Sequence, residues 1–269
     1  MQKLKSFFEK NIVIQANLFI WWRFLFGVYF IYYSVRMIPY LAEVYGGKGF
    51  VPDITLNWTY GLFPNIFSVI PFENTALIVY VGIIIASFFL CFGYFPRVAA
   101  LVIWYLETCL YNRDVLSGEP SLAYVGLLLV TLVLIPHQPV LSFKKKGEKL
   151  EVPCLVFFLP IFIFCLTFTA SAVDKLMSPS WIAGTALTDM LTMGITKDNV
   201  IAGFLVMNPF VTSLFSYSAL FVQLASLPFL FVGHYKVAII INLISFCVIF
   251  FLLEINQVVF GMLFFFSFF

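Results

Sequence analysis

Long apolar runs separated by short polar stretches organise this chain. The runs cover about residues 17–36, 75–94, 98–113, 120–136, 153–173, 209–232 and 237–254, with a short last one at 258–269. Most approach the ~20 apolar residues that cross a bilayer as a helix. They are continuous rather than alternating, which argues against the strands of a membrane barrel. The pattern predicts an all-α fold, a polytopic integral membrane helix bundle with about seven or eight transmembrane helices, as one domain over residues 1–269. Residues 1–16, with Lys3, Lys5 and Lys10 among apolar positions, read as an amphipathic helix on the membrane surface.

Two long segments interrupt the runs. Residues 37–74 contain "YGGKGFVPD" and "GLFPNIF", whose glycines and prolines mark turns. Residues 174–208 contain "DKLMSPSWIAGTALTDML", part of which reads as a re-entrant or surface helix. "GYFPR" at 93–97 reads as a tight turn. The basic residues then set an orientation. With the N-terminus in the cytoplasm, Lys3, Lys5, Lys10, Arg97, Lys144, Lys145, Lys146, Lys149 and Lys236 fall inside. Arg36, Lys48, Arg113, Lys175 and Lys197 fall outside. This places the 37–74 loop, the end of the third run and the Lys175 loop on the extracytoplasmic side of a multi-pass cell-membrane protein.

Composition narrows the class further. Of 269 residues, 62% are hydrophobic and 10% charged, too few polar groups to cover a soluble domain. A net charge of +2 gives no electrostatic footprint for nucleic acid. The first run is long and aromatic, with no small-residue cleavage site after it, so it reads as a span rather than a signal peptide. Cys91, Cys109, Cys154, Cys165 and Cys247 lie in or beside apolar runs without a CxxC pair. They read as small hydrophobes, and no metal-ligand spacing appears.

The chemistry concentrates in "YLETCLYNRDVLSGEP" at 105–120. Glu107 sits roughly two turns inside the third span, where a charge costs a few kcal/mol on insertion scales. Trp104, Glu107, Thr108 and Tyr111 share a helix face that leads to Asn112 at the membrane edge. Two readings stand for Glu107: a structural ion pair, with Arg23 as partner, or a site residue. Asn112, Arg113 and Asp114 read either as a polar helix end, with Asp114 or Ser117 capping the next helix, or as a site wall. Lys175 beside Asp174 is either an interfacial lysine or the opposing wall. Gln223, His234, Asn242 and Glu254 are further polar groups in or beside the later spans.

These segments resemble a known family. "RFLFG" (23–27), "YGGKGFVPD" (45–53), "GYFPRVAALVIWYLETCLYNRD" (93–114), "GEP" (118–120) and "DKLMSPSWIAGTAL" (174–187) are similar to the pattern of the HTTM family. That is the horizontally transferred transmembrane domain shared with vitamin K-dependent γ-glutamyl carboxylases. The resemblance implies a base at Lys175, which would deprotonate vitamin K hydroquinone or menaquinol, and an oxyanion held by Asn112 and Arg113. Arg113 stands where the carboxylases have histidine, so charge stabilisation carries over and proton shuttling does not. Partial burial at a membrane edge favours the neutral amine that a base must be. Glu107, Tyr111, Asp114, Glu119 and Trp181 are the substrate- or cofactor-binding residues on this reading.

The large extramembrane domain of the carboxylases has no counterpart here, and the chain looks more like the small stand-alone SdpB-type members that mature secreted peptide toxins. The expectation is therefore a carboxylase-like membrane protein that uses a lipid quinol, without a metal, to modify a peptide at the outer face. Its expected partners are membrane lipids, a secreted peptide or toxin precursor and an accessory maturation protein. One alternative is an SdpB-type maturation or export factor for a bacteriocin, without quinol chemistry. Another is a DoxX-like quinone-associated structural subunit.

Overall fold

The computed structural model describes residues 11–46, 49, 51, 53, 55, 57, 60–70, 74–114, 122–135, 140, 149–193, 200–232, 237, 240 and 244. They divide into two compact units, one up to Phe157 and one from Phe158 onward. The first contains β1 (Asn11–Gln15), α1 (Ala16–Met37), the short α2 (Leu41–Tyr45) and α3 (Ile66–Val69), α4 (Thr75–Phe92), α5 (Pro96–Arg113), α6 (Leu122–Leu134) and β2 (Lys149–Pro153). The second is built on α7 (Cys154–Leu176), whose first turn belongs to the first unit. It continues through the short α8 (Pro179–Ile182), α9 (Ala186–Leu191) and α10 (Val200–Met207) to α11 (Pro209–Phe231).

Helices dominate, and four segments are long and apolar enough to cross a membrane: Ala16–Tyr45, Thr75–Phe92, Cys154–Leu176 and Pro209–Phe231. The protein is a multi-pass helical membrane protein. The expected runs coincide closely with α1, α4, α5, α6, α7 and α11; the last two, at 237–254 and 258–269, lie outside the described residues. α5 is as long as α4 but carries Arg97, Glu107 and Arg113, and α6 has 13 residues, so neither reaches the same standard of length and apolarity.

One expectation is corrected. Residues 11–15 do not end an amphipathic helix; they form a strand, antiparallel to Lys149–Pro153, with Val13 opposite Glu151 and Ile14 opposite Leu150. The β-branched run "IVI" suits a pleated strand better than a helix. Ile14 and Val152 turn inward while Val13 is exposed, the alternation of a strand with one covered face. α1 and α7 start directly after the two strands. The ribbon pairs the two segments that lead directly into these helices. At the ribbon end, Arg97 Nε donates to Val133 O at 2.7 Å, which ties the start of α5 to the end of α6.

Small residues bring the helices of the first unit together. A Cβ added at Gly27 of α1 would lie 2.5 Å from Cys91 Sγ and 3.0 Å from Ser87 O of α4. One at Gly82 would lie 3.0 Å from Leu106 Cδ1 of α5. Ala100 and Ile103 are fully buried on α5. Close approach through small residues is how helices gain contact in lipid, where apolar burial gives no drive of its own. The α4–α5 turn needs backbone rather than side chains: Gly93 has φ 77° and Phe95 φ 46°, with Pro96 opening α5. The left-handed geometry is free for Gly93 and strained for Phe95.

Candidate functional site

In the second unit the polar chemistry gathers on Lys175, at the end of α7. Its ammonium group donates to Ser171 Oγ at 2.8 Å and to Gln223 Oε1 of α11 at 2.7 Å. Ser171 lies one helical turn back on the same face, the spacing at which helix side chains meet. The Trp181 ring of α8 sits with its centroid 5.2 Å from Nζ, within cation–π range. The side chain is half-buried, and both hydrogen-bond acceptors are neutral. Asp174 next to it is exposed and acts on Lys175 electrostatically without a hydrogen bond between them.

Each partner is itself positioned. Thr169 Oγ1 donates to Gln223 O at 3.1 Å and accepts from Leu227 N at 3.3 Å. One hydroxyl of α7 thus enters the helical ladder of α11 just ahead of Pro228, where the ring weakens that ladder. The insertion fixes the register of α11 against α7 and presents Gln223 to the lysine. Trp181 is held through its own turn. Tyr217 of α11 donates to Ile182 O at 2.8 Å, and Gly184 takes φ 73° against the Tyr217 ring, where a Cβ would come within 3.0 Å. Ser216 Oγ accepts from Leu187 N at 3.2 Å, pinning α9 to the same helix. Leu191, Ala202 and Leu205 pack with Leu187, Met190 and Val211 beneath this turn.

The polar end of the third span occupies the first unit. Asn112, Arg113 and Asp114 are all buried. Asn112 Nδ2 donates to Thr108 O at 2.8 Å, and its carbonyl accepts from Asn57 Nδ2 at 2.5 Å. Arg113 donates from Nη1 to Val51 O and from Nη2 to Gly46 O at 3.3 Å. Asn65 Nδ2 donates to Cys109 O at 3.1 Å, and Tyr105 donates to Pro64 O at 2.9 Å. The last-turn carbonyls of α5, orphans in any helix, are thereby met by side chains from the 37–74 loop, and Arg113 meets loop carbonyls in return. This is a clamp between a helix end and a loop. Asp114, read from sequence as a cap for the next helix, is the C-terminal cap of α5, with its N–H on Leu110 O at 3.0 Å. In the same loop, Thr55 donates from Oγ1 and N to Asp53 Oδ1 at 2.7 and 2.9 Å, which holds that exposed carboxyl below the usual carboxylate range.

Glu107 lies deeper on α5. Its Oε1 is buried without a hydrogen-bond partner, and the carboxyl acts electrostatically on the Tyr80 phenol, which shares a 3.3 Å hydrogen bond with Tyr45. Thr108 bonds back to Trp104 O at 2.6 Å, so the expected face is present, with Tyr111 half-buried on it. The expected Glu107–Arg23 pair does not form: among the described residues the Arg23 guanidinium has no hydrogen-bond partner. The two lie at different depths. Arg23 is roughly 10 Å along α1 from its ribbon end, whereas Glu107 is roughly 16 Å along α5 from the same end.

Of the residues singled out in the sequence, Lys175 and Trp181 meet in the second unit, and Glu107, Tyr111, Asn112, Arg113 and Asp114 belong to α5 and its cap in the first. Glu119 lies outside the described residues. Sequence reasoning missed Ser171, Thr169, Asn57 and Asn65, and gave Gln223 no role. A lone glutamine in an apolar span was the available signal for Gln223, and the i, i+4 spacing was the signal for Ser171. Cys91, Cys109, Cys154 and Cys165 are free and buried, while Cys247 lies outside the described residues. Among the described residues no three His, Cys, Asp or Glu side chains converge as a metal site.

The fold thus defines a multi-pass helical membrane protein with a half-buried, neutrally coordinated lysine at one helix end. No protein-family model, no curated protein and no solved structure matches the chain.

Proposed function

We propose that the protein is an HTTM-type membrane protein that uses a lipid quinol to modify a peptide, with Lys175 as the group that takes the quinol proton. One observation carries the reading. Lys175 Nζ is held by a hydroxyl and a carboxamide oxygen with an indole beside it, and among the described residues no carboxylate hydrogen-bonds to it. A carboxylate partner would favour the ammonium; neutral acceptors in a half-buried setting ease loss of its proton. With a quinol bound, Lys175 would take and hold its proton, the ammonium kept by Ser171 and Gln223. The quinol would supply reducing chemistry, with molecular oxygen as co-reactant.

The length of α7 and the basic residues before it support the sidedness that this reading needs. α7 starts directly after β2 and is long and apolar enough to cross a membrane, and on this reading one crossing separates Lys175 from its start. The basic run Lys144, Lys145, Lys146 and Lys149 in the sequence favours a cytoplasmic start of α7, which on this reading puts Lys175 on the extracytoplasmic side. Arg113 and Asn112 enter this reading as the groups that shape the 37–74 loop and favour an oxyanion near it.

The test uses the purified protein in nanodiscs with reduced vitamin K or menaquinol and oxygen, following quinone epoxide by mass spectrometry. Wild type is expected to form epoxide and Lys175→Ala to form none while remaining folded. Epoxide formation that survives Lys175→Ala, or folded wild type that forms none, sinks the proposal.

A further inference from the structure

The first unit holds a charge that its own residues leave uncompensated. Arg23 of α1 has no exposed surface, and its Nε, Nη1 and Nη2 all lack a hydrogen-bond partner. Its neighbours are the Phe19 ring, 6.0 Å from the guanidinium carbon, and the Cys91 thiol, which itself donates to Phe24 O at 3.4 Å. A guanidinium offers five N–H donors in a planar fork. Leaving all of them unmet in a buried position is strongly unfavourable, so the site calls for an acceptor that the described residues do not supply.

Position and surroundings say what that acceptor is. Cys91 stands beside Phe92, the last residue of α4, and Arg23 is two turns from the start of α1, so both mark the ribbon end of the helices. The same end carries Arg97 and Lys149, basic residues of the kind that gather anionic headgroups. The fork of a guanidinium matches phosphate through two parallel hydrogen bonds. The surroundings are apolar: Phe19 lies against Arg23, Trp22 and Phe26 of the same helix are buried, and Trp21 and Leu25 are exposed along it. Such surroundings suit a phosphate that arrives with its acyl chains rather than a hydrated ion.

We propose that Arg23 anchors a phosphate site at the ribbon end of the α1–α4 seam, occupied by the phosphate of an anionic membrane lipid. The site is separate from Lys175 and independent of any quinol chemistry.

The test compares the full chain in phosphatidylcholine nanodiscs with the same nanodiscs carrying phosphatidylglycerol, reading thermal unfolding and the lipid retained in native mass spectrometry. Wild type is expected to unfold at higher temperature as phosphatidylglycerol is added. Arg23→Met, relieved of an unpaired charge, should be at least as stable as wild type in phosphatidylcholine. It should lose the phosphatidylglycerol-dependent rise and retain that lipid about tenfold less tightly, the scale of one charge-assisted pair. Arg97→Met, whose arginine already bonds to Val133 O, should keep the rise. Equal responses of wild type and Arg23→Met to phosphatidylglycerol would overturn the site. Inorganic phosphate added to phosphatidylcholine nanodiscs separates the sources: no rise supports the lipid, and a rise equal to that from phosphatidylglycerol overturns it. Should Arg23→Met fail to fold, Arg23→Lys keeps the charge without the fork, and an undiminished rise in that variant would likewise overturn the proposal.

Discussion

Thr169 and Gln223 are joined through the backbone: the threonine hydroxyl of α7 donates to the Gln223 carbonyl of α11 at 3.1 Å and accepts from Leu227 N at 3.3 Å. This bond pair aims the Gln223 side chain at Lys175. Thr169→Val keeps the shape and removes both bonds. The expected cost is about 1–3 kcal/mol, the sum of two ordinary hydrogen bonds, seen as a lower unfolding temperature in detergent. Lys175 should also become more reactive towards an amine-acylating reagent, because its Gln223 partner loses its seat. An unchanged acylation rate in a destabilised variant would confine Thr169 to packing.

Gln223 can be tested directly. Gln223→Leu leaves Lys175 with Ser171 as its hydrogen-bond acceptor and an apolar group where an oxygen stood. Faster acylation of Lys175 is expected, with stability changed by only about 1 kcal/mol. Protection equal to wild type would show that the 2.7 Å bond does not hold the amine in solution.

Arg113 has a structural task that a lysine cannot take over. Its two terminal nitrogens reach separate carbonyls, those of Val51 and Gly46. Arg113→Ala should cost roughly 2–4 kcal/mol, since hydrogen bonds from a charged group are worth more than neutral ones and two partly buried carbonyls lose their donors. Arg113→Lys should recover only part of this, because a single ammonium lacks the fork. Limited proteolysis within residues 46–57 provides the readout; equal protection in wild type and Arg113→Ala would remove the clamp from the account.

Gly27 sets the spacing of α1 and α4. With Cys91 Sγ 2.5 Å from an added Cβ and Ser87 O 3.0 Å away, Gly27→Val must push the helices apart. Overpacking of this kind costs about 1–3 kcal/mol. Pairing it with Cys91→Ala, which removes the nearest atom, should return part of the loss, because contacting sites couple. Strict additivity of the two changes in thermal unfolding would argue against direct contact.

The ribbon makes a topological prediction. Gln15→Cys and Lys149→Cys sit at paired positions of β1 and β2. In membrane vesicles of known orientation, a membrane-impermeant maleimide should label both from the same side. Labelling from opposite sides would exclude the ribbon and require an odd number of crossings between them.

The sequence by itself determined the class and most of the spans. Apolar runs of membrane length carry a one-dimensional signal, because a spanning helix satisfies its own backbone and needs no distant partner to exist. The α4–α5 turn was legible for the same reason, since Gly93 and Pro96 act locally. So were the polar residues worth singling out, because a charge in an apolar run is conspicuous wherever the run folds. Tertiary structure decided what those residues touch. Arg113 turns onto carbonyls 62 and 67 residues away in sequence, and Lys175 meets a glutamine 48 residues on. Strand β1 exists only because residues 149–153 come to lie beside it. Periodicity states which face of a helix a residue occupies, but depth and angle between helices come from close approach at positions such as Gly27 and Gly82. Those decide that Arg23 and Glu107, two opposite charges that the sequence invites one to pair, never meet.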